Sequence, residues 1–295
     1  MKVLGGLVAV LSLAACGLSQ TPAGSVSGKV QVVAAENFWG SIAAQVGGEH
    51  ASVTSIIANP NTDPHDYDPT PQDARRIAQA KYVIFNGVGY DAWAGKLLDA
   101  NPAAGRVVLT VGDLLGKKEG DNPHLWYSPS YVDRTVDRIE ADLGKIDGAD
   151  ASYFQLQALN YKRLGLKAYH DAIAAIRQKY AGTKVGASES IFSYLAEGTG
   201  LDLITPPGYL NAISEGADPS AADKATVESQ IATRSIKVFV YNSQNSTPEV
   251  QGLVAKGRAR GIPVMSVTET MVPARATFQD WQTAQLKDLL QALGG

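Results

Sequence analysis

Short runs of β-branched and aliphatic residues alternate along this chain with stretches of helical periodicity. In the first half, 30–34, 53–57, 82–85 and 107–110 are almost continuously apolar. Strands that do not alternate polar with apolar are covered on both faces, the signature of a parallel sheet. Helical patterns at 38–46 and 71–80 lie between them, and one at 130–143 closes this half. The rhythm resumes with strands at 184–187, 201–205, 237–241 and 263–267 and a closing helix at 279–293. Between the halves, 151–180 has no proline and only Gly165 as an interruption, after a break at 147–150 that offers an N-cap. Leu159, Leu166, Tyr169, Ile173 and Ile176 recur there at spacings near three, four and seven, one apolar stripe. A helix of that length would extend about 45 Å and act as a stiff strut. The predicted fold class is α/β: two lobes, each a mostly parallel sheet flanked by helices, joined by one long rigid helix. The first lobe is expected over 30–148, the linking helix over 149–181 and the second lobe over 182–295.

The N-terminal segment breaks this rhythm. Lys2 precedes an apolar run over 3–15 that ends in Leu13-Ala14-Ala15-Cys16. The run is shorter than the about 20 residues that span a bilayer and has the proportions of a secretory signal. Leu-Ala-Ala-Cys resembles a bacterial lipobox, in which the cysteine is diacylated and becomes the new N-terminus. Cys16 is the sole cysteine, so a disulfide within the chain is excluded. Residues 17–29 are rich in Ser, Gly, Thr and Pro and read as a flexible tether. The working chain is expected to begin near Val30, outside the cytoplasm, held to a membrane by lipid on Cys16.

A hydrophobic content of 45% supports a packed core, and a formal net charge of −3 without a Lys/Arg cluster argues against a nucleic-acid partner. No second apolar stretch approaches membrane length, so any permeation belongs to another protein.

The chain has only 4 histidines, and two stand in near-copies of one phrase. His65 lies in Asp63-Pro64-His65-Asp66-Tyr67-Asp68-Pro69, and His124 in Asn122-Pro123-His124-Leu125-Trp126-Tyr127-Ser128-Pro129. The prolines stiffen both loops, and a neutral imidazole on a stiff loop among oxygen groups is a candidate metal ligand. Both loops follow strands of the first lobe, on the rim where open α/β sheets collect ligands. In the second lobe, Glu189 comes off the 184–187 strand and Glu269 off the 263–267 strand, placed to complete such a site. Asp66, Asp68 and Asn122 neighbour the histidines and are expected either to orient them by hydrogen bonds or to stabilise the turns. His170, on the strut, and His50, in a turn, are read as ordinary packed or solvated side chains.

The signal with its lipobox, Asp-Pro-His-Asp-Tyr-Asp-Pro-Thr and Asn-Pro-His-Leu-Trp together resemble the cluster A-I, zinc- or manganese-binding, solute-binding lipoproteins of bacterial ABC importers. The likeness continues in Tyr82-Val83-Ile84-Phe85-Asn86-Gly87-Val88-Gly89, in 188–195 and in Gly261-Ile262-Pro263-Val264, and spans nearly all of the chain beyond the tether. It implies two lobes on one long helix with a divalent metal between them, received by a membrane permease and its ATPase from a monomeric receptor. The family's four ligand positions fall on His65, His124, Glu189 and Glu269. The third is often histidine in zinc importers and the fourth usually aspartate, so both glutamates are departures. The histidine-rich acidic loop of many zinc-specific members is missing, since 117–122 is short and contains no histidine.

Two imidazoles and two carboxylates make a neutral site around a dication, with no soft ligand. That mixture favours Mn²⁺ first, Zn²⁺ second and Fe²⁺ third, although the Irving–Williams order favours zinc in raw affinity. Other classes remain: a metal-dependent hydrolase, an adhesin or structural lipoprotein on the same fold, and a receptor for an organic ligand such as a siderophore. Against catalysis stand the missing His-Glu-x-x-His motif and the failure of Gly186-Ala187-Ser188-Glu189-Ser190 to complete a nucleophile elbow. An organic ligand would call for a pocket rich in arginine and aromatic residues, which these motifs do not show.

Overall fold

The computed structural model describes residues 28–62, 64 and 67–295. The expected signal and the lipidation site Cys16, nearly all of the tether, and the candidate residues His65 and Asp66 lie outside the described residues.

Two four-stranded parallel sheets form the frame. The first joins β1 (Val30–Glu36), β2 (Ala51–Ile57), β3 (Tyr82–Phe85) and β4 (Val107–Thr110) in the order β2-β1-β3-β4. The second joins β5 (Lys184–Ala187), β6 (Asp202–Leu203), β7 (Phe239–Asn242) and β8 (Val264–Val267) in the matching order β6-β5-β7-β8. In each sheet the chain first steps to one side and then crosses to the other. The carboxyl ends of β1 and β3, and of β5 and β7, therefore flank a switch point where successive loops part and a ligand can enter.

The expected strand over 201–205 contracts to the two residues of β6. Thr205 turns its hydroxyl onto the Ala187 N–H at 3.0 Å, and Pro206 and Pro207, which lack N–H donors, lead into helix Pro207–Ser214. Helices Ala92–Ala100, Ser193–Thr199, Ala221–Ala232 and Pro248–Ala259 complete the crossovers. Their apolar stripes are narrow, and Ala221–Ala232 buries only Val227 and Ile231.

The strut is helical but not one α-helix. Ala151–Asn160 passes into a π-turn over Tyr161–Gly165, and Lys167–Tyr180 resumes the α geometry. A π-turn inserts a residue and shifts the phase of the helix. The buried stripe accordingly runs Phe154, Ala158, Tyr161, Leu166, Tyr169, Ile173 and Ile176, while Leu159, expected on it, is 47% exposed. Gly165 is required at the turn, since a Cβ there would come within 2.6 Å of the Tyr161 ring. Asp150 does not cap the strut through its side chain; it pairs with His50.

One apolar cluster runs from the first lobe through Tyr161, Tyr169 and Ile176 of the strut into Val185, Phe192 and Leu195 of the second, and includes Phe278 and Trp281 of the closing helix Phe278–Leu293. The lobes share a core, which opposes large rigid-body swings between them. Within it Phe38 stacks on Trp126 with ring centroids 4.0 Å apart, just beyond His124 in the chain. Phe38→Ala should cost about 3–5 kcal/mol of stability, read as a lower denaturant midpoint; an unchanged midpoint would remove this stack from the account.

Candidate metal centre

Each candidate side chain leaves the carboxyl end of a sheet or the loop beyond it. His124 precedes the short turn Leu125–Tyr127, whose aromatic side chains are fully buried and fix the backbone. Glu189 lies two residues past β5 in extended geometry, and Glu269 two residues past β8. His124 and Glu189 are buried, and Glu269 lines the cleft between the lobes. One ligand-type atom from each of His124, Glu189 and Glu269 lies within 4.8 Å of the other two. The cleft holds about 760 Å³ and is bordered by Asn61, Asp121, Ser190, Glu215, Gln244 and Thr270. Of the other expected residues, Asn122 lies against His124, and Asp68 is exposed. His50 stacks on Tyr153 and His170 lies 3.4 Å from Asp133, both away from this cluster.

The hydrogen bonds decide the chemical form of the imidazole. Asn122 donates from Nδ2 to the Ser190 carbonyl at 2.8 Å, which turns its Oδ1 toward His124. His124 Nδ1 lies 2.7 Å from that oxygen, and the His124 backbone N–H donates to it at 3.1 Å. Nδ1 therefore carries the proton, and Nε2 keeps the lone pair that a cation requires. Asn122 belongs to the first lobe and Ser190 to the second, so the same amide ties the lobes together. The Tyr194 hydroxyl adds a bond to the Asn122 carbonyl at 3.1 Å.

The carboxylates are held as closely. Asn242 donates from Nδ2 to Glu189 Oε1 at 2.7 Å and to Glu269 Oε1 at 2.8 Å. Asn245 Nδ2 reaches Glu189 Oε2 at 2.7 Å, and the Tyr90 hydroxyl reaches Glu269 Oε2 at 3.0 Å. Burial, with the nearby Glu269 and Glu36 carboxyls, keeps the Tyr90 phenol well above its ordinary range, so it acts as a donor.

Behind the cleft lies a buried acid pair that supports both sides. Glu36, at the end of β1, is fully buried, and burial followed by the Asp91 charge raises its carboxyl well above the usual range. Burial raises Asp91 to about 6, against hydrogen bonds from Glu36 and from backbone N–H groups that pull it down. Glu36 therefore holds its proton beside the Asp91 carboxyl. Asp91 also accepts the backbone N–H groups of Asn86 at 2.6 Å and Gly87 at 2.8 Å. These bonds hold a turn in which Gly87, Val88 and Gly89 all take positive φ, a strained geometry for a β-branched valine. The turn presents Tyr90 to Glu269. It also carries Asn86, which donates to the Pro123 carbonyl at 2.9 Å, immediately before His124.

Sequence reasoning missed Glu36, Asn86, Tyr90, Asp91, Asn242 and Asn245. The strand-end argument that singles out Glu189 applies equally to Glu36 after 30–34. The polar run Asn242-Ser243-Gln244-Asn245 after an apolar strand carried the same signal.

Two α/β lobes on a shared core, with ligand-type side chains from both facing one cleft, define a bilobal solute-binding protein. The chain belongs to the family described as ZnuA, zinc-uptake complex component A, periplasmic, whose model matches residues 32–292. That is a family of solute-binding receptors and not of enzymes, and the hydrolase alternative finds no support in it. The zinc-binding lipoprotein AdcA of Streptococcus pneumoniae is 26% identical over 278 residues, covering 84% of this chain and 52% of that protein. The manganese-binding lipoprotein MntA of Halalkalibacterium halodurans is 26% identical over 204 residues, covering 67% of each. This chain spans about half the length of the AdcA relatives it matches. In fold it is similar to the Mn-bound periplasmic metal-binding protein of Candidatus Liberibacter asiaticus, with a TM-score of 0.73, 20% identity, and 89% of this chain and 98% of that one covered.

The acid pair has a consequence for stability. Above the ordinary carboxyl pKa of about 4 the unfolded chain has released these protons while the folded chain still holds them. The pair's contribution is thus fully present below about pH 4 and is lost as pH rises through about 6, where Asp91 titrates. Glu36→Gln keeps the side chain's shape without a titrating proton. Its stability relative to the parent should rise across pH 4–7 in denaturant titrations, and a pH-independent difference would contradict the retained proton.

Proposed function

We propose that this chain is an extracytoplasmic receptor that binds one divalent transition metal, Mn²⁺ or Zn²⁺, between its lobes and delivers it to an ABC permease and its ATPase. The observation that carries this reading is the convergence of His124 from one lobe with Glu189 and Glu269 from the other within 4.8 Å. An imidazole and two carboxylates supply hard and borderline donors, the set that manganese, iron and zinc share. His65 is the fourth ligand in this reading, and Asn122 orients His124. The family and the zinc- and manganese-binding relatives support the same cargo.

The receptor acts as a monomer with lobes 30–148 and 182–295 around the linking segment 149–181. Acylated Cys16 holds it to the outer face of the membrane through the 17–29 tether. Among the described residues no helix is long and apolar enough to cross a membrane, so the passage of the ion falls to the permease. Binding and lobe closure are linked because neither lobe alone completes the ligand set. The common core and the Asn122–Ser190 bond restrict closure to loop-scale movements.

Titration of the chelator-stripped protein should show one Mn²⁺ or Zn²⁺ per chain. Alanine at His65, His124, Glu189 or Glu269 should each weaken binding about 100-fold, or about 3 kcal/mol. Unaltered affinity in Glu189→Ala or His124→Ala would remove that residue from the site, and unaltered affinity in both would end this reading.

A further inference from the structure

We propose that Asn242 sets the coordination number of the bound cation, and with it the balance between zinc and manganese, by committing its side-chain amide to both carboxylates at once. The inference rests on the reading of Glu189 and Glu269 as ligands given above. Asn242 is fully buried at the end of β7, between the strands that lead to the two glutamates. Its Oδ1 accepts the Gln244 backbone N–H at 2.9 Å, which fixes which end of the amide is nitrogen. Its own backbone N–H meets Ser188 Oγ at 3.2 Å. The one nitrogen then faces Glu189 Oε1 at 2.7 Å and Glu269 Oε1 at 2.8 Å.

The coordination argument follows from how a carboxylate chelates. Binding through both oxygens needs them placed evenly about the cation, with both free to lend density to it. Here each Oε1 is drawn to a common nitrogen, and the second oxygens are held apart, on Asn245 in one case and on Tyr90 in the other. A carboxylate pinned this way at both ends cannot swing to an even, two-oxygen grip without breaking a buried hydrogen bond. Each glutamate therefore acts as a one-oxygen ligand, and two imidazoles with two such carboxylates give four donors. Four-coordination suits zinc, whereas manganese favours a larger oxygen shell. The ligand types alone favour manganese; the hydrogen bonds from Asn242 pull in the opposite direction. The amide is neutral, so it also holds the two acids side by side without altering the site's charge balance against a dication.

The test compares the parent chain with Asn242→Ala and Asn242→Leu by competition titration with Zn²⁺ and Mn²⁺, and by X-ray absorption of the zinc-loaded proteins. Asn242→Leu keeps close to the side chain's shape and adds no charge or ligand atom, so it remains informative if alanine perturbs folding. Both variants lose the amide donors, and in each the Mn²⁺/Zn²⁺ affinity ratio should rise about 10-fold, with more oxygen neighbours around zinc. A purely structural role would weaken both metals together; an unmoved ratio with an unmoved neighbour count would overturn the proposal. A parent chain that binds neither metal would instead overturn the receptor reading on which it rests.

Discussion

Two carboxylates in a largely buried cleft repel each other, and burial strips away the water that would screen them. Most of the local structure answers that repulsion. Asn242 places one donor between them, and Asn245 and Tyr90 hold the outer oxygens; the proposed dication would supply the charge that neutral donors cannot. The imidazole of His124 completes the arrangement from the other lobe and must arrive with its proton on the far nitrogen. Asn122 enforces that tautomer and is itself anchored across the lobe boundary on Ser190. A ligand set divided between lobes works only if the lobes keep a fixed relation, and the shared apolar core provides it.

Support for the site reaches well below its surface. Asp91 holds a strained turn in place, and the turn steers both Tyr90 and the backbone before His124. Trp39 donates to Asn86 Oδ1 at 3.1 Å, which keeps that amide turned toward Pro123. The aromatic group of Phe38, Trp126 and Tyr90 packs around the imidazole, with His124 and Trp126 ring centroids 5.3 Å apart. Polar bonds thus set orientation, and apolar packing removes the slack that would let the orientation drift.

The parallel sheets were legible because a strand such as 82–85 is apolar throughout, a pattern no amphipathic helix shares. Four-strand lobes and their rim residues followed from that. The phase of the strut was not legible, because a π-turn is signalled only by how Gly165 meets the Tyr161 ring, which is a contact and not a period. At the centre, His124, Glu189 and Glu269 stood out as ionisable groups on loops and strand ends. Asn242 and Glu36 did not: an asparagine after a strand reads as a turn, and a glutamate after a strand reads as solvated. Their roles come from being fully buried, which sequence patterns do not report.

The most direct measurement is a crystal of the metal-loaded protein with diffraction recorded on both sides of the metal's absorption edge. The account predicts a single strong anomalous peak about 2.0–2.3 Å from a nitrogen of His124 and from oxygens of Glu189 and Glu269. A metal-loaded protein whose anomalous peak lies elsewhere, with those three side chains unligated, would contradict it.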